Sequence, residues 1–123
     1  MCTSFLAYKD NLFAITGRSL DYDQDNSYKI LKTPKGTTFH SVLNNGVTWT
    51  STFDIVTINS VVDDSLYPIP FEGMNSSGIS ISGNLANAQY PKGKSGDTIS
   101  SDDFVNFMLA QVFDLRLVPQ LLD

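Results

Sequence analysis

The chain opens with two short apolar segments separated by polar turn residues, a pattern that favours strands over helices. Residues 5–8 and 12–15 are apolar and flank Lys9-Asp10-Asn11, which predicts a β-hairpin beginning at residue 3. We expect Gly17 to end the second strand of this hairpin. Similar patterns predict strands at residues 27–32, 53–59 and 78–83, and a hairpin over residues 39–49 that turns at Asn45-Gly46.

Helical spacing appears only towards the C-terminal end. Ser100 or Ser101 is suited to cap a helix, and the acidic residues that follow complement the positive end of its dipole. Apolar residues then recur at helical spacing through residue 113, with Phe104, Phe107 and Met108 expected in the core, and a second apolar segment covers residues 115–122. Residues 63–71 and 91–97 are expected to be loops. Strands followed by helices predict one α+β domain over residues 1–123.

Composition and charge exclude several classes of function. The chain has 8 basic and 13 acidic residues and a net charge of −5, whereas nucleic-acid binding depends on clustered Lys and Arg. A single cysteine cannot form an internal disulfide, and the start lacks the regions of a signal peptide. No apolar run is long enough to span a membrane, and His40 has no second His or Cys for a metal site. We therefore expect a cytoplasmic protein with no metal or cofactor and no nucleic-acid or membrane partner.

The sole cysteine stands at position 2, where a reactive role requires removal of Met1. Cys2 would then carry a thiol and a free α-amine, whose reference pKa of about 7.7–8.0 suits a general base near neutral pH. Arg18 and Asp21 follow the second predicted strand, so the chain returns there towards its own start. The cation would favour the thiolate, and the carboxylate would orient the amine. Taken alone, a lone cysteine and a solvated Arg–Asp pair are also compatible with no function.

Four segments in order carry a family resemblance. They are Met-Cys-Thr at residues 1–3, Gly-Arg-Ser-Leu-Asp at 17–21, Gly-Met-Asn-Ser-Ser-Gly-Ile at 73–79 and Phe-Met-Leu-Ala-Gln at 107–111. Together they resemble the choloylglycine hydrolase family, which contains the bile salt hydrolases and penicillin V acylases of the N-terminal nucleophile superfamily. The resemblance implies an αββα sandwich, of which this chain would form the first half, with antiparallel strands followed by helices.

The resemblance also implies a mechanism. Cys2, once exposed, would attack an amide carbonyl and form an acyl-thioester that water hydrolyses, and Arg18 and Asp21 match the family's catalytic positions beside it. The family places a polar oxyanion-hole residue after the strand that begins near residue 78. Asn84 is the expected match, although it lies one position before strict register, and Asn87 is the alternative.

Three hypotheses about function stay open. The first is a hydrolase of non-peptide C–N amide bonds, with a small-molecule substrate such as a conjugated bile salt or penicillin V. The second is a catalytically incomplete piece of such an enzyme, because the family's chains are more than twice this length and their second half supplies another asparagine and an arginine. That piece would need a second copy or a complementary chain. The third is a small all-β binding domain, whose thiol would react no faster than a model cysteine.

Overall fold

The computed structural model describes residues 3–9, 13–19, 27–61, 69–84 and 99–121. Within these ranges, antiparallel strands come first and short helices last, which confirms the expected α+β class. The strands are β1 (Thr3–Lys9), β2 (Phe13–Ser19), β3 (Ser27–Thr33), β4 (Thr38–His40), β5 (Thr48–Thr50), β6 (Ile55–Val61), β7 (Ile69–Asn75) and β8 (Ser80–Ser82). The helical elements are α1 (Ser101–Gln111), a 3-10 turn (Leu115–Leu117) and α2 (Val118–Leu121).

The N-terminal hairpin forms as predicted, from β1 and β2, with Thr3 opposite Ser19. Gly17 does not end the second strand, because β2 continues to Ser19. It pairs instead with Phe5, whose ring would lie only 2.5 Å from a Cβ atom at this position. The glycine therefore makes room for an aromatic ring across the hairpin, and its effect on the chain is one of packing rather than termination.

The main sheet of the described residues has four antiparallel strands in the order β3-β6-β7-β8. Along β6 the side chains alternate, since Ile55, Thr57 and Asn59 are buried, whereas Val56 is 42% exposed. Such alternation is expected of a strand with one covered face. Helix α1 supplies the cover and packs mainly on β7. We call the opposite face, which carries Val56, the open face.

The loop expected over residues 63–71 is wrong at its C-terminal end, because residues 69–71 begin β7. Residues 62–68 lie outside the described ranges. Pro70 fits within the strand because the pairing register shifts between Ile58 and Asn59. Prolines in sheets are confined to edge strands, strand starts and bulges, and Pro70 is the second residue of β7 and lies next to this bulge. The predicted loop over residues 91–97 also lies outside the described ranges.

The second hairpin pairs β4 with β5 as predicted, but its turn differs from the expected one. Phe39 lies opposite Trp49, and their rings stack with centroids 5.6 Å apart. Asn44 and Gly46 adopt positive φ angles of 52° and 83°, and the Asn45 side chain accepts a hydrogen bond from the Val47 N–H at 3.1 Å. The connection from His40 to Thr48 is therefore longer than a two-residue turn. Its positive φ angles occur at Asn44 and Gly46, not at Asn45 and Gly46 as the sequence predicted.

Helix α1 begins at a capping box, as the sequence predicted for Ser100. The Ser100 hydroxyl accepts from the Asp102 N–H at 3.2 Å, and Asp103 accepts from the Ser100 N–H at 3.2 Å. Asp103 is buried and also accepts from the Ser41 hydroxyl at 2.7 Å. One carboxylate therefore satisfies the helix start and ties it to the loop after β4.

The core lies between α1 and the covered face of the main sheet. As expected, Met108 is buried, whereas Phe104 is only half-buried. Phe107 is also half-buried and meets the Trp49 ring edge-on at 5.7 Å. Phe113 lies beyond α1 and is 60% exposed, so the helical pattern extended too far. Of the helices that the structure describes, none has the length and apolar character needed to cross a membrane.

Candidate active site

The N-terminal hairpin places the end of β2 beside the start of β1. Ser4 lies opposite Arg18, and the Thr3 N–H donates to the Ser19 hydroxyl at 3.2 Å. Arg18, predicted from the sequence as a catalytic residue, is therefore one strand away from the first residues of β1. Three other candidates, Cys2, Asp21 and Asn87, lie outside the described residues.

Arg18 reaches from β2 to the segment that follows β8. Its Nη1 atom donates to the Gly83 carbonyl at 2.7 Å and, at 3.4 Å, to the Ser82 hydroxyl. Its guanidinium carbon lies 5.2 Å from the centroid of the Phe71 ring, within the range of a cation–π contact. The Nε atom is buried and has no hydrogen-bond partner within the described part of the chain.

Phe71 supports Arg18 through both its ring and its backbone. Its carbonyl accepts from the Gly83 N–H at 2.7 Å, and the Gly83 carbonyl is the main acceptor for Arg18. The Phe71 ring meets Tyr28 edge-on with centroids 5.7 Å apart. The Phe71 ring lies under the guanidinium, and the Phe71 backbone holds Gly83, whose carbonyl accepts from Arg18. Arg18 is therefore restrained from two directions.

Asn84 approaches the hairpin at the residue opposite Arg18. Its Nδ2 atom donates to the Ser4 hydroxyl at 3.0 Å. The Ser4 hydroxyl also lies 3.4 Å from the Asn84 Oδ1 atom. A carboxamide has two N–H donors, and within the described residues Ser4 is the partner of one of them. Arg18 and Asn84, which are far apart in the sequence, therefore both lie next to Ser4 at the start of β1. The structure brings together these two members of the predicted set.

A cleft of about 500 Å³ separates the hairpin from the open face of the main sheet. Ser4 and Leu6 line the hairpin side, and Val56, Ile58 and Met74 line the sheet side. This volume falls within the range of about 300–1,000 Å³ that is usual for small-molecule sites. The mainly apolar walls suit an apolar group. Because Ser4 lines the cleft and lies next to both Arg18 and Asn84, the cleft adjoins these two side chains.

The sequence did not reveal Ser4, Phe71 or Gly83 as parts of this site. Their contacts join the hairpin, β7 and the segment after β8, and no local pattern signals pairs so distant in the chain. A bulky aromatic residue and a glycine carry no chemistry of their own. No cluster of His, Cys, Asp and Glu residues that could hold a metal occurs in the ranges that the structure describes.

Comparison with known families identifies the class of protein. The model of the linear amide C–N hydrolases of the choloylglycine hydrolase family matches residues 2–122. The chain belongs to the choloylglycine hydrolase family. Membership supports a hydrolase of linear amide C–N bonds, and the antiparallel sheets with C-terminal helices are consistent with part of an N-terminal nucleophile fold. The comparison with curated proteins gave no match.

Proposed function

We propose that this chain is an N-terminal-cysteine amidohydrolase, which transfers the acyl group of a small-molecule amide first to Cys2 and then to water. The observation that carries the proposal is that Arg18 and Asn84 both lie next to Ser4, near the start of β1. Cys2 is bonded to Thr3, the first residue of that strand, and consecutive Cα atoms are about 3.8 Å apart. Family membership supports the reaction class.

The proposed acylation uses the terminal amine as its base. Once Met1 is removed, the α-amine of Cys2 takes the thiol proton, and the thiolate sulfur attacks the amide carbonyl carbon. The N–H of Asn84 that Ser4 does not engage donates to the oxyanion that forms. The α-ammonium then gives its proton to the leaving amine as the C–N bond breaks. The products of this step are a free amine and an acyl-thioester on Cys2.

Deacylation uses the same base, with water as the nucleophile and the Cys2 sulfur as the leaving group. The α-amine takes a proton from water, whose oxygen attacks the thioester carbonyl. The C–S bond breaks and the carboxylic acid leaves. The α-ammonium then returns its proton to the thiolate. The positive charge of Arg18 favours the thiolate in both steps, because a nearby cation lowers the pKa of a thiol. Asp21 orients the α-ammonium in this scheme.

The cleft between the hairpin and the open face supports a bulky apolar acyl group as the substrate's larger part. Leu6, Val56 and Met74 would contact such a group, while the amide would lie near Ser4. Conjugated bile salts and penicillin V both join a bulky acyl group to a smaller amine. We propose them as the first substrates to test.

The test is release of the amine from glycine- and taurine-conjugated bile salts and from penicillin V. The enzyme is first checked by intact mass for loss of Met1. We expect turnover that disappears in Cys2→Ala, while Cys2→Ser keeps a residual rate because the amine base survives. Turnover that Cys2→Ala leaves unchanged would refute the cysteine mechanism, and no turnover by a folded, Met1-free chain would refute activity of this chain alone.

The open face favours a second proposal, in which another polypeptide completes the site. On the open face Ile30, Val56 and Met74 are between 42% and 71% exposed, and Leu6 of the facing hairpin is 63% exposed. Large exposed apolar patches commonly mark sites that a partner covers. A second copy or a complementary chain would cover these side chains. Light scattering across a range of concentrations should then show an assembly whose formation parallels amine release. A stable monomer with full activity would exclude this alternative.

A further inference from the structure

Asn75, at the end of β7, holds the end of helix α1 through its buried carboxamide. Its side chain is only 3% exposed. The Nδ2 atom donates to the Leu109 carbonyl at 3.0 Å and to the Val112 carbonyl at 2.7 Å. The last carbonyls of a helix have no partner within the helix. Asn75 therefore satisfies two acceptors at the end of α1 and fixes its own orientation in doing so.

The other side of the same carboxamide organises the turn from β7 to β8. Its Oδ1 atom accepts from the Ser77 N–H at 3.1 Å, the Ser77 hydroxyl at 2.7 Å and the Ile79 N–H at 3.0 Å. Gly78, at the same turn, has a φ of +88°, a value that side-chain-bearing residues rarely adopt. The turn is thus closed around one amide oxygen, whose position α1 determines.

The turn between β7 and β8 sets the register of β8. Within the described residues β8 pairs only with β7, with Gly73 opposite Ile81 and Met74 opposite Ser80. Ile81 packs towards the core, while the Ser82 hydroxyl lies near Arg18. A slip of one residue would exchange these two faces. It would also displace the next two residues, which contact Arg18 and Ser4.

We infer that Asn75 is a positioning residue for the amidase site, which couples the end of α1 to the placement of Arg18 and Asn84. Its role as a contributor to turnover rests on the proposed function, whereas its control of these two side chains does not. Asn75 touches neither side chain directly. It acts through the turn, the register of β8 and the Gly83 carbonyl.

The experiment compares Asn75→Ala and the milder Ser77→Ala with the core variant Val105→Ala. Ser77 is exposed and supplies only donors to the turn, so its variant is expected to fold. Val105 is buried on α1 and has no hydrogen bond to the turn, which makes it the control for a general loss of stability. Nitrogen-15 NMR follows the Asn84 carboxamide and the Arg18 Nε–H, assigned with Asn84→Ala and Arg18→Lys, at temperatures where each variant is folded.

We expect both turn variants to move the Asn84 and Arg18 signals towards those of free side chains, whereas Val105→Ala leaves them in place. If the wild-type chain is active, Asn75→Ala should lower kcat by about 100-fold, the loss that a misplacement of about 1 Å causes, with a smaller effect on KM. Signals that stay in place in Ser77→Ala, or that move equally in Val105→Ala, would overturn the inference. Because NMR needs no turnover, an inactive wild-type chain would refute the proposed function and still leave this test decisive.

Discussion

Gly73 offers a sharp test of the packing between α1 and the main sheet. A Cβ atom added at this position would lie 2.6 Å from the Val56 carbonyl oxygen, 2.7 Å from Leu109 Cδ1 and 2.9 Å from Thr57 Cγ2. Two of these atoms belong to the neighbouring strand, and one belongs to the helix. Gly73→Ala therefore has to separate β7 from both β6 and α1.

The size of the effect follows from these distances. The closest contact must lengthen by about 0.8 Å to reach ordinary van der Waals separation, and a backbone oxygen cannot rotate away as a flexible side chain does. Overpacking of a core typically costs 1–3 kcal/mol, so we expect about 3 kcal/mol here. For a chain of this length 1 kcal/mol corresponds to about 4 °C, which predicts a fall of about 12 °C in Tm.

The measurement is thermal unfolding followed by circular dichroism, with Gly36→Ala as the matched control. Gly36 has a φ of +86° and open space around it, so alanine there meets only the backbone cost of about 1–2 kcal/mol. A valine at position 73 should lower Tm further, whereas an asparagine at position 36, a residue type that tolerates positive φ, should cost no more than alanine. A Tm for Gly73→Ala within about 2 °C of wild type, well below the shift expected from overpacking, would refute this account of the packing.

Three further predictions concern the helix start, the site and an exposed ion pair. Ser100→Ala should lower the free energy of unfolding by about 1 kcal/mol in urea, because it removes the cap hydroxyl; no change would contradict the capping role. Arg18→Gln should lower amine release and raise the thiol pKa found from alkylation rates, because it removes the cation that favours the thiolate; wild-type values of both would contradict its role. The side chain and then the backbone N–H of Arg116 hold the pKa of Asp114 below its ordinary value. The resulting small stabilisation is present above the unfolded pKa and disappears as the pH falls through the folded one. Arg116→Gln should raise the Asp114 pKa in an NMR titration, and an unchanged value would exclude this cause.

The elements with strong local signals could be predicted from the sequence. The N-terminal hairpin has polar turn residues between two apolar segments, and the Ser100 cap precedes acidic residues and an apolar helix face. Strand β7 was missed because Pro70 lies within it, and a proline normally argues against a strand. Its bulge depends on pairing with β6, and no local pattern in β7 reveals that pairing.

The site was predictable where a residue has chemistry of its own and a place in a family motif. Arg18 satisfies both conditions, whereas Asn84 lies one position before its match in the family motif. The structure places both beside Ser4, and their catalytic roles stay predictions. Ser4, Phe71 and Gly83 satisfied neither, because their roles arise only when distant elements meet. Asn75 lay in a quoted motif, yet two of the five hydrogen bonds of its side chain go to carbonyls at the end of α1, which a reading of residues 73–79 alone does not include.

The most direct test of the proposed function is to trap the acyl group on Cys2. The Met1-free chain is mixed with penicillin V, quenched at short times, and examined by intact mass and peptide mapping. We predict an added mass equal to the acyl group on the N-terminal peptide, which forms as the amine is released and is absent in Cys2→Ala. Amine release without this adduct at any time, with equal release by Cys2→Ala, would contradict catalysis by the N-terminal cysteine.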